Sequence, residues 1–522
     1  MPSAGFSKLS KENGPTDTEQ EEANQSAAIT TSQISPASGL NLKLENGLLD
    51  FLFVSPVRWF RMLAEKIHWS FVVGVIVIYG ASQGIGGSVF KVSSDYYWKD
   101  VQKIQPSEAQ VYSGIISIPW IVKPLWGLLT DVLPVAGYKR RPYFVLAGIL
   151  GVVPFLIISL CKKLHVVFAL IMLTAGSAGV AIADVTIDAC VAENSIMLPS
   201  LAADMQSLCG LSSSVGKLVG FSISGILIHH IGSQGVLGLL GIPAALVILV
   251  GIVMKETHTP DFAYGEVNQK LREASGKMVK TLKCRQVWRP CFYMFSSLAL
   301  SLNIQEGLFY WYTDPKAGPH FSEEGVGFIF SFSAIGSLLG VLLYQNSLKD
   351  YPFRSLLFWS QLLFGFSGML DLILVFRINL KLGIPDYFFV VIDECVSQMI
   401  SRLKWMPLLV LSSKLCPSGV EGTFFALLMS IDNAGLLLSS WLGGLLMHLL
   451  NVTRTNFTNL WLSILIRNFL RILPLTLILL VPESDSNSNI LPPEILNTDQ
   501  HIINTETEPH NIELVSLVKY TS

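Results

Sequence analysis

The sequence strands ionisable side chains inside long apolar runs. Lys123 lies between Trp120 and Trp126. Asp184 and Asp188 share one run, and Gln206 and Lys217 share the next. Farther on, Glu306 adjoins Gln305, Tyr310 and Trp311, Asp393 and Glu394 share a run with Arg402 and Lys404, and Asp432 lies in the run after that. Charge in hydrocarbon is expensive, so such residues are expected to pair, bind a ligand or line a watery path. Three kinds of chemistry fit. Lys123 or Lys217 can pair with Asp184 or Asp188 and fix helix packing. Two carboxylates four residues apart stand on one helical face, where they can hold and pass a proton. Carboxylates, cations and aromatic rings together can also bind a flat polar anion, since rings stack and charge-assisted forks recognise paired donors or carboxylates. Lys404 is expected to extend its long stem to a membrane interface.

Such residues need an apolar helical scaffold. Of the 522 residues, 51 % are hydrophobic and 14 % charged, and the mean hydropathy is +0.51. A soluble chain carries about 25 % charge, so a soluble enzyme and a disordered protein are excluded. With 36 Lys and Arg against 38 Asp and Glu, no cationic excess exists for nucleic acid. No P-loop, G-x-S-x-G or H-E-x-x-H occurs, so no cofactor, no metal and no enzymatic activity are expected. The seven cysteines show no metal spacing and read as small apolar residues. An all-α polytopic membrane protein is left. Twelve stretches are long enough to cross a bilayer core: 69–90, 108–130, 142–160, 166–191, 201–229, 235–254, 288–312, 324–344, 355–376, 385–411, 421–449 and 458–481.

The organisation expected is a disordered cytosolic tail and pre-membrane segment at 1–68, a six-helix half at 69–254, a basic cytosolic linker at 255–287, a second six-helix half at 288–481 and a polar cytosolic tail at 482–522. Basic residues concentrate on the side that holds the linker and Lys139, Arg140 and Arg141, which puts both termini in the cytosol. The segments around Val185–Glu193 and Val390–Gln398 resemble each other, as expected of two parallel repeats. Gly80, Gly84, Gly86 and Gly87, with Gly216 and Gly220, are spaced for close helix contact.

One stretch is more specific. Gly127-Leu-Leu-Thr-Asp131, followed by Gly137-Tyr-Lys139-Arg140-Arg141, joins the second and third runs. It resembles a stretched form of the gating motif that major facilitator transporters carry there. Ser113-Gly-Ile-Ile-Ser-Ile-Pro-Trp-Ile-Val-Lys-Pro-Leu-Trp-Gly127, Ala183-Asp-Val-Thr-Ile-Asp-Ala-Cys-Val-Ala-Glu193 and Leu415-Cys-Pro-Ser-Gly-Val-Glu-Gly-Thr-Phe-Phe-Ala-Leu-Leu-Met-Ser430 resemble the folate-biopterin transporter family, and the chain reads most like a plant member. It departs from that pattern at Glu193, which no arginine follows, and at Arg402.

The resemblance implies a major facilitator fold of twelve transmembrane helices in two halves. It also implies a carrier of folates or pterins working by alternating access. Protons are the expected coupling ion and the lipid bilayer the surroundings, in the plasma membrane or an endomembrane. On that reading Asp184 or Asp188 binds the pterin or carries the proton, and Lys123, Lys217 or Arg402 holds the glutamate tail. Gln206, Glu306 and Asp393 are further candidates, and Trp120, Trp126, Tyr310 and Trp311 are candidates for stacking. A facilitator of another organic anion, and a receptor or scaffold that keeps the fold without transport, stay open as alternatives.

Overall fold

The computed structural model describes residues 55–256, 258, 272, 276, 279–349, 351–415 and 421–483. Residues 1–54 and 484–522 of the expected tails and most of the expected linker lie outside these residues, while Ser55–Leu63 and Ala64–His68 of the expected pre-membrane segment are helical. The described chain is helical, and an isolated bridge pairs Val135 with Tyr138. Helix is what a bilayer demands, because each backbone polar group must be satisfied within its own segment.

Among the described residues, the helical segments from Trp69 onward group into rods α1 to α12. α1 runs through Trp69–Val75, Ile76–Gly86, Gly87–Tyr96 and Tyr97–Val101. α2 comprises Pro106–Ile116, Ile118–Ile121 and Lys123–Val132, with Pro119 and Pro124 opening its second and third pieces. α3 is Arg141–Leu160 and α4 is Val166–Met197. The next helix, Ala202–Leu239, turns at Gly232 with φ 72°, which ends α5 and starts α6; α6 continues through Gly241–Val253. α7 is broken into Arg285–Ala299 and Gln305–Tyr312. α8 is Glu323–Leu343 with Tyr344–Leu348, α9 is Phe353–Ser367 with Leu370–Val375, α10 is Asp386–Lys414, α11 is Glu421–Leu449 and α12 is Leu460–Ile472 with Leu473–Leu480.

Among the described residues, nine helices are long and apolar enough to cross a membrane. The difference from the twelve expected stretches has physical causes. α5 and α6 follow each other without a loop across the kink at Gly232, so Asp204–Val253 counts as one stretch. α7 is interrupted at 300–304, and α10 is diluted by Asp393, Glu394, Arg402 and Lys404. The rods leave apolar stripes outside. On α3, Leu146, Ile149, Val153, Leu156 and Leu160 are all exposed, at the spacing of one helical face. That is the surface a hydrocarbon layer covers.

The core joins the first six rods to the last six at one end, which holds residues 101–106, 312–323 and 449–460. There Val92, Tyr96 and Trp98 of α1 pack with Phe309 and Tyr310 of α7, Val326 of α8, Met447 of α11 and Leu460 of α12. Glycine lets backbones meet. A Cβ on Gly84 of α1 would lie 2.7 Å from Cα of Gly216 on α5, and one on Gly327 of α8 would lie 2.9 Å from the Gly225 nitrogen of α5. Gly87, expected in the same role, faces open space.

Candidate functional site

α1, α2 and α4 bring one charge cluster together. Lys123 pairs with Asp184 and lies 4.0 Å from Asp188, while its ammonium sits 5.0 Å over the Trp120 ring. Gln83 donates to Asp184 at 2.5 Å, and the Tyr79 hydroxyl donates to Asp188. Asp184 is buried, whereas the Asp188 side chain is half-exposed. Internal pairing therefore consumes Asp184 and leaves one face of Asp188 open. Tyr79 and Gln83 escaped the sequence reading. Their signal was present, since they stand four apart in the first apolar run, each one residue before a glycine, Gly80 or Gly84, that faces α5 instead.

A larger constellation sits among the last six rods. A cavity of about 400 Å³ is lined by Asp371, Asp393, Glu394, Arg402, Lys404, Arg467 and Arg471, with Phe309, Tyr312, Phe330, Phe364 and Trp405 as its aromatic members. Arg402 donates to Ser337 at 2.6 Å and stacks 5.3 Å over Trp405. Asp393 accepts from Ser397 at 3.1 Å. The Arg467 guanidinium meets Asp371 at 2.5 Å. Lys404 corrects its expectation. It does not reach an interface but is 4 % exposed, donating to the Ser297 carbonyl at 3.2 Å and to Ser301 at 3.3 Å. The break in α7 is the cause, because the last carbonyls of Arg285–Ala299 lack helical partners and accept the ammonium. Asp371 and Arg467 were not foreseen, since neither run holds an opposite charge beside them and their pairing is tertiary.

The remaining candidates disperse. Gln206 is exposed. Lys217 feels both the Arg402 guanidinium and the Asp184 carboxylate. Glu306 is buried at the closed end with Lys91. Tyr310 is buried there too, its hydroxyl on the Ile104 carbonyl at 3.2 Å, and Trp311 is buried with Arg377 5.1 Å over its ring. Trp120 donates to Ser177 at 3.2 Å. The Trp126 Nε1 is buried, with no acceptor among the described residues.

The loop between α2 and α3 is held by acids from elsewhere. The Glu256 carboxylate accepts the backbone N–H groups of Lys139, Arg140 and Arg141 at 2.6, 2.9 and 3.0 Å, capping the start of α3. Arg140 reaches Glu193 of α4 at 2.6 Å, so the base that does not follow Glu193 in sequence arrives from this loop. Arg141 donates to the carbonyls of Gly251 and Ile252. Gly137 has φ +76°, a conformation suited to glycine, and a Cβ on Gly127 would make ordinary contact with Val185. The backbone of Asp131 closes α2, and its side chain is outside the described atoms.

The profile of the BT1 family matches residues 83–494. The chain is 62 % identical to probable folate-biopterin transporter 2 of Arabidopsis thaliana, over 89 % of this chain and 93 % of that one. It is 31 % identical to a folate-biopterin transporter of Synechocystis, over 83 % and 87 %. The crystal structure of the nucleoside transporter NupG superposes with a TM-score of 0.58 at 13 % identity, covering 79 % of this chain and 98 % of that one, which shows the fold alone. The chain thus carries the major facilitator fold of a multi-pass membrane transporter, not an enzyme, and it belongs to the BT1 family together with the folate-biopterin transporters it resembles.

Proposed function

We propose that this protein is a secondary carrier of folates or pterins that works by alternating access, coupled to protons, with both termini in the cytosol. The observation that carries the reading is the cavity of about 400 Å³ with three carboxylates, four cations and aromatic rings on its walls. Its volume falls in the range of small-molecule sites, about 300–1,000 Å³. A pterin presents an amino group beside a ring N–H, which one carboxylate accepts together, and a flat face for aromatic rings. A glutamate tail presents carboxylates for Arg402 and Lys404. Asp393 and Glu394 suit the ring, and the open face of Asp188 adds a carboxylate from the first six rods. The names of the relatives, transporters of folate and biopterin, agree with this chemistry. The packed end supports alternating access, since two groups of rods closed at one end are arranged to rock about a central site.

Uptake of labelled folate into proteoliposomes, with and without an imposed pH gradient, tests the reading. Saturable uptake, enhanced by an inward proton gradient and weakened in Arg402→Ala, is expected. No uptake of folate or pterin under either condition would sink it.

A further inference from the structure

Asp95 of α1 and Glu306 of α7 meet over a single lysine. The Lys91 ammonium lies 2.7 and 2.6 Å from the two Asp95 oxygens and 3.4 Å from Glu306 Oε1. The two acidic side chains are 4 % and 2 % exposed. They sit in the packed end, among the residues that seal the first six rods against the last six. Two carboxylates facing one ammonium leave one negative charge uncompensated, and an unpaired buried charge is costly.

The neighbours do not supply the missing positive charge. From α2, Gln110 contributes a neutral amide, whose oxygen accepts the Glu306 N–H at 3.1 Å. Tyr96 and Tyr310 are neutral phenols, and the Tyr310 hydroxyl is committed to Ile104. Asp100 adds negative charge, and Lys99 pairs with it at 3.5 Å. Arg454 acts on Tyr310, while Glu323 and Glu324 of α8 act on Tyr96 and Glu394 of α10 faces the Lys91 charge, so these rods add negative charge. Glu306 Oε2 is buried and has no donor among the described residues.

We propose that Asp95 and Glu306 share one exchangeable proton when this end is closed, and that this pair is the coupling site of the carrier. The proposal rests on the carrier reading above and adds a site to it. Lys91 already stands between the carboxylates, so the missing charge is a proton rather than a metal cation. Parting α1 from α7 breaks the Lys91–Glu306 contact and opens the acid pair to water on that side, from which it takes up the shared proton before the end closes. With this end closed the pair keeps the proton, and when the opposite end opens the proton leaves past Lys91, whose side chain is 36 % exposed and acts on Glu394 of the cavity wall. Closure of this end then carries one proton from one side of the carrier to the other.

Glu306→Gln and Asp95→Asn test this together. Each leaves one carboxylate for one lysine, a neutral pair with nothing to titrate. In proteoliposomes both variants are expected to lose accumulation driven by a pH gradient while keeping exchange of labelled folate across equal pH. Infrared spectra of the purified protein, with no folate present, are expected to show a protonated carboxyl band that weakens in both variants. Full gradient-driven accumulation in either variant would overturn the proposal. So would loss of exchange in both variants, an unchanged carboxyl band, or accumulation by the unaltered protein driven by sodium at equal pH. The band needs no cargo, so its persistence marks failure of this site, whereas absent folate flux in the unaltered protein with the band behaving as expected marks failure of the substrate reading alone.

Discussion

Arg467 of α12 donates to Asp371 of α9 at 2.5 Å, and the two side chains are 5 % and 16 % exposed. The pair crosses between two rods that share no sequence proximity. Removing one partner strands a charge inside the bundle, at a cost of about 3–5 kcal/mol. Arg467→Met alone and Asp371→Asn alone are each expected to lower the melting temperature of the purified protein and the yield of monodisperse material. The double variant should recover much of the loss, because no lone charge remains. Equal melting of single and double variants would show that the pair contributes nothing by being paired.

Tyr79 carries a different kind of expectation. Its hydroxyl donates to Asp188, whose side chain is otherwise open on one face. Tyr79→Phe removes a donor to a charged acceptor, an interaction worth about 1.5–3 kcal/mol, yet Lys123 stays within reach of the carboxylate. The variant is therefore expected to fold and reach the membrane normally. Folate uptake should fall about tenfold. Unchanged uptake would remove Asp188 and its donor from the transport path.

The contrast between Tyr79 and Asp371 shows what the sequence could convey. The fold class was legible because 51 % apolar content and apolar runs of membrane length admit few alternatives, and the motif stretches from Ser113 to Gly127 and from Ala183 to Glu193 narrowed it to one family. Within the site, Asp184 and Asp188 were legible because their spacing of four defines a face. Arg467 and Asp371 were not, because nothing in either run announces the other. Lys404 misled for a related reason. Its stem length suggests an interface, and the carbonyl that receives it is exposed only by a break in α7 that the apolar run 288–312 conceals. The closed end was the least legible part, since Lys91 and Asp95 stand at the edge of an apolar run where charge is ordinary.

Arg402 offers a test of substrate orientation. It stacks on Trp405 and is oriented by Ser337, with its guanidinium lining the cavity. If it holds the glutamate tail, Arg402→Ala should raise the KM for folate about tenfold or more, the loss of one charge-assisted contact. The KM for a pterin without the tail should stay the same. Arg402→Lys should recover only part of the affinity, because an ammonium lacks the planar fork that matches a carboxylate. Equal effects on both compounds would place Arg402 away from the tail.

Glu256 is expected to matter for stability rather than for transport chemistry. It accepts three consecutive N–H groups at the start of α3, donors that a helix leaves without partners. Glu256→Ala should destabilise the protein by about 0.5–2 kcal/mol, the range for lost helix caps. Glu256→Gln should recover part of this, since its amide oxygen still accepts. Thermal unfolding in detergent reads the effect. A melting temperature unmoved by Glu256→Ala would show that water replaces the cap.

Gly84 and Gly87 stand three residues apart in α1, yet the structure separates them sharply. A methyl group on Gly84 would lie 2.7 Å from the Gly216 Cα and 3.0 Å from the Ser213 carbonyl oxygen, both backbone atoms of α5. Backbone cannot swing aside as a flexible side chain does, so the two helices must part. Helix association in a bilayer depends on close van der Waals packing at small residues, and the parting opens a gap along the contact. Gly84 also precedes the closed end by two helical turns, so a shift there carries to Lys91. A methyl group on Gly87 meets nothing within 4 Å. Gly84→Ala is therefore expected to lower both the melting temperature and folate uptake, and Gly84→Val to abolish folded protein. Gly87→Ala should leave both unchanged or raise stability slightly, since alanine favours helix over glycine by about 1 kcal/mol. Measuring the three variants side by side separates packing from propensity: equal losses at Gly84 and Gly87 would mean that the α1–α5 approach is looser than the backbone geometry requires.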